Sequence, residues 1–165
     1  MVRAALAALL LVTAPATVIA QPPGAPHPTA ALTWLTGRWE GVGTMFLERS
    51  AAHLEVRPIL GGRFIELSYG AGGMRGDAFE GRAIYQPLGG DRWEGTWFDS
   101  RGARFPIAAN LSGQTLTADW GSAETERGRT VYALAEDGRL QIVDSVRLPD
   151  GRYREFARHS LTRAQ

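Results

Sequence analysis

From Arg38 to Thr162 the chain is cut into ten short runs, and most of the cuts are glycine-bearing turns. The runs are Arg38–Leu47, Ala52–Leu60, Arg63–Tyr69, Asp77–Gln86, Arg92–Ser100, Ala103–Leu111, Gln114–Trp120, Arg129–Ala135, Arg139–Leu148 and Arg152–Thr162. Gly61-Gly62, Leu88-Gly89-Gly90-Asp91, Arg101-Gly102, Ser112-Gly113, Glu136-Asp137-Gly138 and Pro149-Asp150-Gly151 separate them and supply the positive φ angles of tight hairpins. Apolar residues inside the runs recur with period two, the strand period, where a helix would need 3.6. Strands joined by turns this short pair antiparallel, because parallel neighbours need long crossovers. A succession of hairpins with no long return connection favours a barrel over a sandwich, and closure removes both exposed edges. The fold expected is therefore all-β: an antiparallel up-and-down β-barrel of about ten strands. A short N-terminal helical turn precedes it, with Thr29 as its cap, Gly37 as its end and Leu32, Trp34 and Leu35 as its apolar contacts.

Alternation also assigns the faces. Trp93, Gly95 and Trp97 share one side of their run and Arg92, Glu94 and Thr96 the other; Leu54 and Val56 oppose His53, Glu55 and Arg57. Aromatic residues inward and charges outward describe a barrel in water, the reverse of an outer-membrane barrel. With no cysteine among 165 residues, disulfides, thiolate nucleophiles and cysteine metal sites are excluded. All 18 basic residues are arginine, so Schiff-base chemistry lacks its lysine. Net charge is +1, which gives no electrostatic grip on nucleic acid.

The first residues point to export. A positive start, Met1-Val2-Arg3, leads into an apolar run from Ala4 to Val12, and Val18-Ile19-Ala20 offers a signal-peptidase site before Gln21. Residues 1–20 read as a cleaved signal peptide, 21–28 as a proline-rich lead-in and 29–165 as the barrel domain. The location expected is the periplasm or the extracellular space.

Gly37-Arg38-Trp39 resembles the opening of the lipocalin, or calycin, superfamily. There a G-x-W motif follows a helical turn, and an arginine near the end of the last strand packs over the tryptophan. Trp39-Glu40-Gly41-Val42-Gly43, Pro58-Ile59-Leu60-Gly61-Gly62-Arg63-Phe64, Gly95-Thr96-Trp97-Phe98-Asp99 and Ser160-Leu161-Thr162-Arg163 are similar to a narrower group. These are exported bacterial proteins with a lipocalin-like domain of unknown function. The resemblance spans Leu32 to Arg163 and implies a barrel that binds a small ligand. The tryptophan-glycine start is also similar to nitrobindin-like haem barrels, where a last-strand histidine holds the iron. His159 is the residue at that place here, although it stands nearer the closing leucine than in those barrels.

Closing the barrel sets the first run antiparallel to the last. Trp39 opposite Arg163 implies Gly41 opposite Leu161 and Gly43 opposite His159. Two readings of the glycines follow: they clear space beside His159 for a planar ligand, or they relieve strand coiling. Tyr153, Ala157, His159 and Leu161 then face inward and Arg152, Arg154 and Arg158 outward. The Pro149-Asp150-Gly151 turn conflicts with that parity unless a bulge intervenes at Gly151 or within the last strand.

Met45, Tyr69, Tyr85, Trp93, Trp97, Asp99 and His159 are the candidate ligand-binding residues, with Asp99, Asp144 and Glu155 as candidate inward carboxylates. The leading expectation is an exported barrel sheltering a small apolar or amphipathic molecule, with no resident cofactor and no metal. One alternative is a haem barrel with His159 as axial ligand. Another is a small barrel enzyme built on Asp99, Asp144 or Glu155. No nucleophile elbow, phosphate loop or metal-ligand spacing is present in the sequence.

Overall fold

A computed structural model describes residues 29–73 and 78–164. The segments read as a signal peptide and a proline-rich lead-in lie outside the described residues. Ten strands follow a short 3-10 turn, Ala30–Leu32: β1 (Gly37–Met45), β2 (Glu48–Ile59), β3 (Phe64–Gly73), β4 (Ala78–Gly89), β5 (Arg92–Asp99), β6 (Arg104–Ser112), β7 (Thr115–Trp120), β8 (Gly128–Leu134), β9 (Leu140–Arg147) and β10 (Tyr153–Arg163). Each pairs antiparallel with its chain neighbours, and β10 pairs with β1, so the sheet is a closed up-and-down barrel. This is consistent with a lipocalin-like fold.

The closing register sets Trp39 against Arg163, Gly41 against Leu161 and Gly43 against His159, as alternation requires. Parity in β10 is rescued by a bulge between Glu155 and Ala157. Ala157, His159 and Leu161 beyond it are buried. Before it the faces swap, which corrects two expectations. Tyr153 lies outside, its hydroxyl donating to Asp119 (3.2 Å) under the Arg129 guanidinium (4.5 Å to the ring centre). Arg154 reaches the barrel mouth instead of the outer wall.

A second correction concerns the first hairpin. The turn between β1 and β2 is the pair Phe46-Leu47, with φ of 51° and 68°. Both positions of this tight turn need the left-handed region, where asparagine and glycine are the usual residues. Neither residue signals the turn locally, so β2 begins at Glu48, four residues earlier than Ala52.

The connections after β1, β5, β7 and β9 stand at one end of the barrel, and the N-terminal segment seals the other. Leu32 and Leu35 are fully buried there, packed with Trp39, Leu54, Val56 and Leu161. Thr29 does not cap the helical turn: its hydroxyl instead donates to the Gly62 carbonyl at 2.9 Å, tying the segment to the β2–β3 turn. Outside, charges run across neighbouring strands; Glu66 accepts from Arg57 (2.7 Å) and Arg82 (3.4 Å). Among the described residues no helix is long and apolar enough to cross a membrane.

Candidate functional site

The open half of the barrel holds a cavity of about 880 Å³. Four consecutive strands give it an aromatic wall. Phe79 on β4 stacks on Trp97 of β5 (centroids 6.3 Å apart), Trp97 stands opposite Phe105 on β6, and Phe105 stacks on Trp120 of β7 (5.4 Å). Each ring is inward because strand alternation puts it there. Gly81 gives the Trp97 indole its place: a Cβ at residue 81 would lie 1.9 Å from Trp97 Cζ2. Across the mouth, Phe46 stacks on Phe156 (5.3 Å), and Leu47 beside them is 99% exposed.

On β8 and β9 the wall turns polar. Thr130 and Asp144 are opposite residues in that ladder, and the Thr130 hydroxyl donates to Asp144 Oδ1 at 2.6 Å. Burial pushes the Asp144 carboxyl up to about 6; the Thr130 bond opposes this and the charge of nearby Glu155 adds to it. The folded chain holds this proton more tightly than the unfolded chain does. Ionised Asp144 therefore costs the fold about 3 kcal/mol above pH ~6, a cost relieved as the pH falls towards ~4. Tyr85 and Tyr132 stand close enough nearby for their hydroxyls to influence each other; burial raises both, so they stay protonated. Burial, and then the Asp144 charge, does the same for Tyr69.

Among the residues singled out from sequence, Met45, Tyr69, Tyr85, Trp97, Asp144 and Glu155 line this cavity. Three others are placed elsewhere. Trp93 is buried in the lower core between Pro87 and Ala109. Asp99 holds the β5–β6 turn. It accepts from the Arg101 guanidinium (2.8 Å) and from the backbone N–H groups of Arg101 (2.9 Å) and Ala103 (3.1 Å). Burial alone would raise its carboxyl, but these bonds outweigh it and hold the group below the usual range.

His159 is inward and completely buried, its Nδ1 3.1 Å from the Tyr69 hydroxyl. Burial lowers its pKa, so the ring is neutral. Among the described residues Nε2 has no hydrogen-bond partner. An orphan nitrogen of this kind suits a metal in its donor chemistry, but neither His159 nor its ring borders the cavity. The glycines opposite make no room for a planar group: Cβ atoms at Gly41 and Gly43 would lie 2.2 Å from the Ser160 carbonyl oxygen and 1.9 Å from that of Arg158. They serve the close approach of β10, so the reading in which they clear a ligand space is corrected. A haem does not fit here, and haem added to the protein is expected to give no strong Soret band that His159→Ala abolishes; absorption spectra of the two proteins check this.

Thr130, Tyr132, Phe79, Phe105 and Trp120 were not singled out from sequence, although all five belong to the runs read as strands. Their inward parity was readable; their height in the barrel was not. No known family model matches the chain, and no curated protein matches its sequence.

Proposed function

We propose that this protein is an exported binding protein that holds a small amphipathic molecule inside a lipocalin-like barrel. The observation that supports it best is the cavity itself. Its volume, about 880 Å³, is in the range of pockets that enclose drug-sized ligands. An aromatic wall with a few polar groups is the usual composition of such pockets: area for affinity, and donors or acceptors for orientation. Export rests on the Met1–Ala20 segment and on the resemblance to exported lipocalin-like proteins.

Native mass spectrometry of protein recovered from the periplasm tests both parts. The expected mass is that of a chain beginning at Gln21, carrying a retained small molecule. Ala118 lies on the cavity wall. In the variant Ala118→Phe the added ring takes up cavity space, and the retained molecule should be lost while the far-ultraviolet spectrum stays that of a β-barrel. A chain beginning at Met1 would overturn export. A ligand held equally by Ala118→Phe would overturn binding in this cavity.

A further inference from the structure

If the cavity binds a small molecule, its charge pattern narrows the class. We propose that the ligand is an amphipathic cation, an amine whose ammonium group pairs with Asp144 while its apolar body lies along the Phe79–Trp97–Phe105–Trp120 wall.

Asp144 stands inside the barrel and borders the cavity, and Thr130 is the donor that serves it. Among the described residues no guanidinium forms an ion pair with it. Asp144 is half-buried, and a carboxylate drawn out of water into a barrel wall with no cation beside it is disfavoured. The missing partner is therefore to be sought in what fills the cavity. A neutral alcohol would give Asp144 a hydrogen bond but leave its charge uncompensated; an ammonium group supplies both.

The other groups agree. Aromatic ring faces attract cations, and four of them form the neighbouring wall. The arginines that border the cavity, Arg101 and Arg154, come from the β5–β6 turn and the start of β10, at the rim. Arg101 is already engaged by Asp99 at 2.8 Å. A carboxylate entering head first would meet Asp144, and one entering tail first would press hydrocarbon against it; Glu155 at the rim is already paired with Arg158 (2.9 Å). A fatty-acid-like anion is disfavoured in both directions.

The experiment compares three probes of one shape, 2-(1-naphthyl)ethylamine, 2-(1-naphthyl)ethanol and 1-naphthylacetate, by calorimetric titration at pH 7.5. The amine should bind at least about tenfold more tightly than the alcohol, and the acetate most weakly. In Asp144→Asn, which keeps the side-chain shape, the amine's advantage should vanish while the alcohol binds as before. If that variant fails to fold, the wild-type pH profile decides. Amine affinity should fall between pH 7 and 5 as Asp144 takes up its proton, and alcohol affinity should stay level. The charged or titratable groups that act on Asp144 or feel its charge are Glu155 of β10, Tyr132 of β8, Tyr85 of β4 and Tyr69 of β3, with Arg154 of β10 at the rim and His159 of β10 hydrogen-bonded to Tyr69. Glu155, the other carboxylate, and His159, the imidazole, are the controls. The fall should therefore persist in Glu155→Gln and in His159→Gln. Equal binding of amine and alcohol, or an amine preference that survives Asp144→Asn, would overturn the cation assignment and leave cavity binding intact. No binding of any probe, together with no retained molecule in the native mass spectrum, would overturn both.

Discussion

Gly43→Ala is expected to destabilise the barrel by about 3 kcal/mol or more, although it adds a single methyl group. The reason is where that methyl would go. A Cβ on residue 43 lies 1.9 Å from the Arg158 carbonyl oxygen and 2.7 Å from His159 Cα. Both are backbone atoms of β10, so no rotamer change relieves the clash; β1 and β10 must part. Their pairing is the seam that turns an open sheet into a barrel. Parting it exposes two strand edges and admits water beside buried His159 and Tyr69. Val42→Ala is the internal control: its neighbouring side chain points outward and is 57% exposed, so its loss should stay within about 0.5 kcal/mol. Urea unfolding of both variants gives the comparison. Amide exchange at β1 and β10 should accelerate in Gly43→Ala before it does elsewhere. Equal stability of the two variants would mean that the seam is not so close.

The architecture was legible in the sequence for the same reason that the seam is sensitive. Inward and outward positions alternate with period two, so one correct pairing, Trp39 with Arg163, fixes the parity of the whole β1–β10 ladder. The conflict between that parity and the Pro149-Asp150-Gly151 turn also carried information. It demanded an extra residue in the last strand, and the structure puts the bulge at Glu155–Ala157. What the sequence could not say was where along β10 the parity changes. Tyr153 was therefore turned inward and Arg154 outward, the opposite of their positions. The Phe46-Leu47 turn was illegible for a different reason: its positive φ angles come from the ladders on either side, against the local preference of both residues.

For the site, the limit is depth. Trp93 and Trp97 share one face of β5, yet the first is packed into the lower core and the second borders the cavity. Periodicity gives both the same label, because it sees direction and not height. Asp99 misled in a related way. It follows Trp97 at the inward spacing, but the turn after it recruits its carboxylate to bind Arg101 and two backbone N–H groups. Asp144 was visible as an inward acid. Its relation to Thr130 emerges only when β8 and β9 are laid side by side in register.

Arg163→Ala is expected to cost about 2–3 kcal/mol, large for a side chain that is itself exposed. The guanidinium carbon stands 4.3 Å from the centre of the Trp39 ring. A cation over an indole is worth roughly 0.5–2 kcal/mol, more where water is excluded. The same fork donates from Nη1 to the Thr36 carbonyl (2.7 Å) and from Nη2 to the Trp34 carbonyl (2.8 Å). Trp39 adds its own tie, Nε1 donating to the Leu35 carbonyl at 2.9 Å. One arginine thus pins the N-terminal segment over the closed end, where Leu32 and Leu35 are fully buried. Because these bonds are reached by solvent, each is taken at about 1 kcal/mol and not at the value of a buried charged bond. Arg163→Lys should recover less than half of the loss, since one ammonium cannot serve two carbonyls and an indole in the same geometry. Among the described residues the Arg152 side chain pairs with Asp150 beside it on the turn, and Arg152→Ala should cost no more than about 0.5 kcal/mol. A double-mutant cycle between Trp39→Phe and Arg163→Ala isolates the contact, because residues that do not touch lose stability additively. A coupling of about 0.5 kcal/mol or more is expected, retaining the Phe ring but at weaker cation attraction. Strictly additive losses, or an Arg163 effect as small as that of Arg152, would show that the arginine does not seal this end, and the plug would then rest on Leu32 and Leu35 alone.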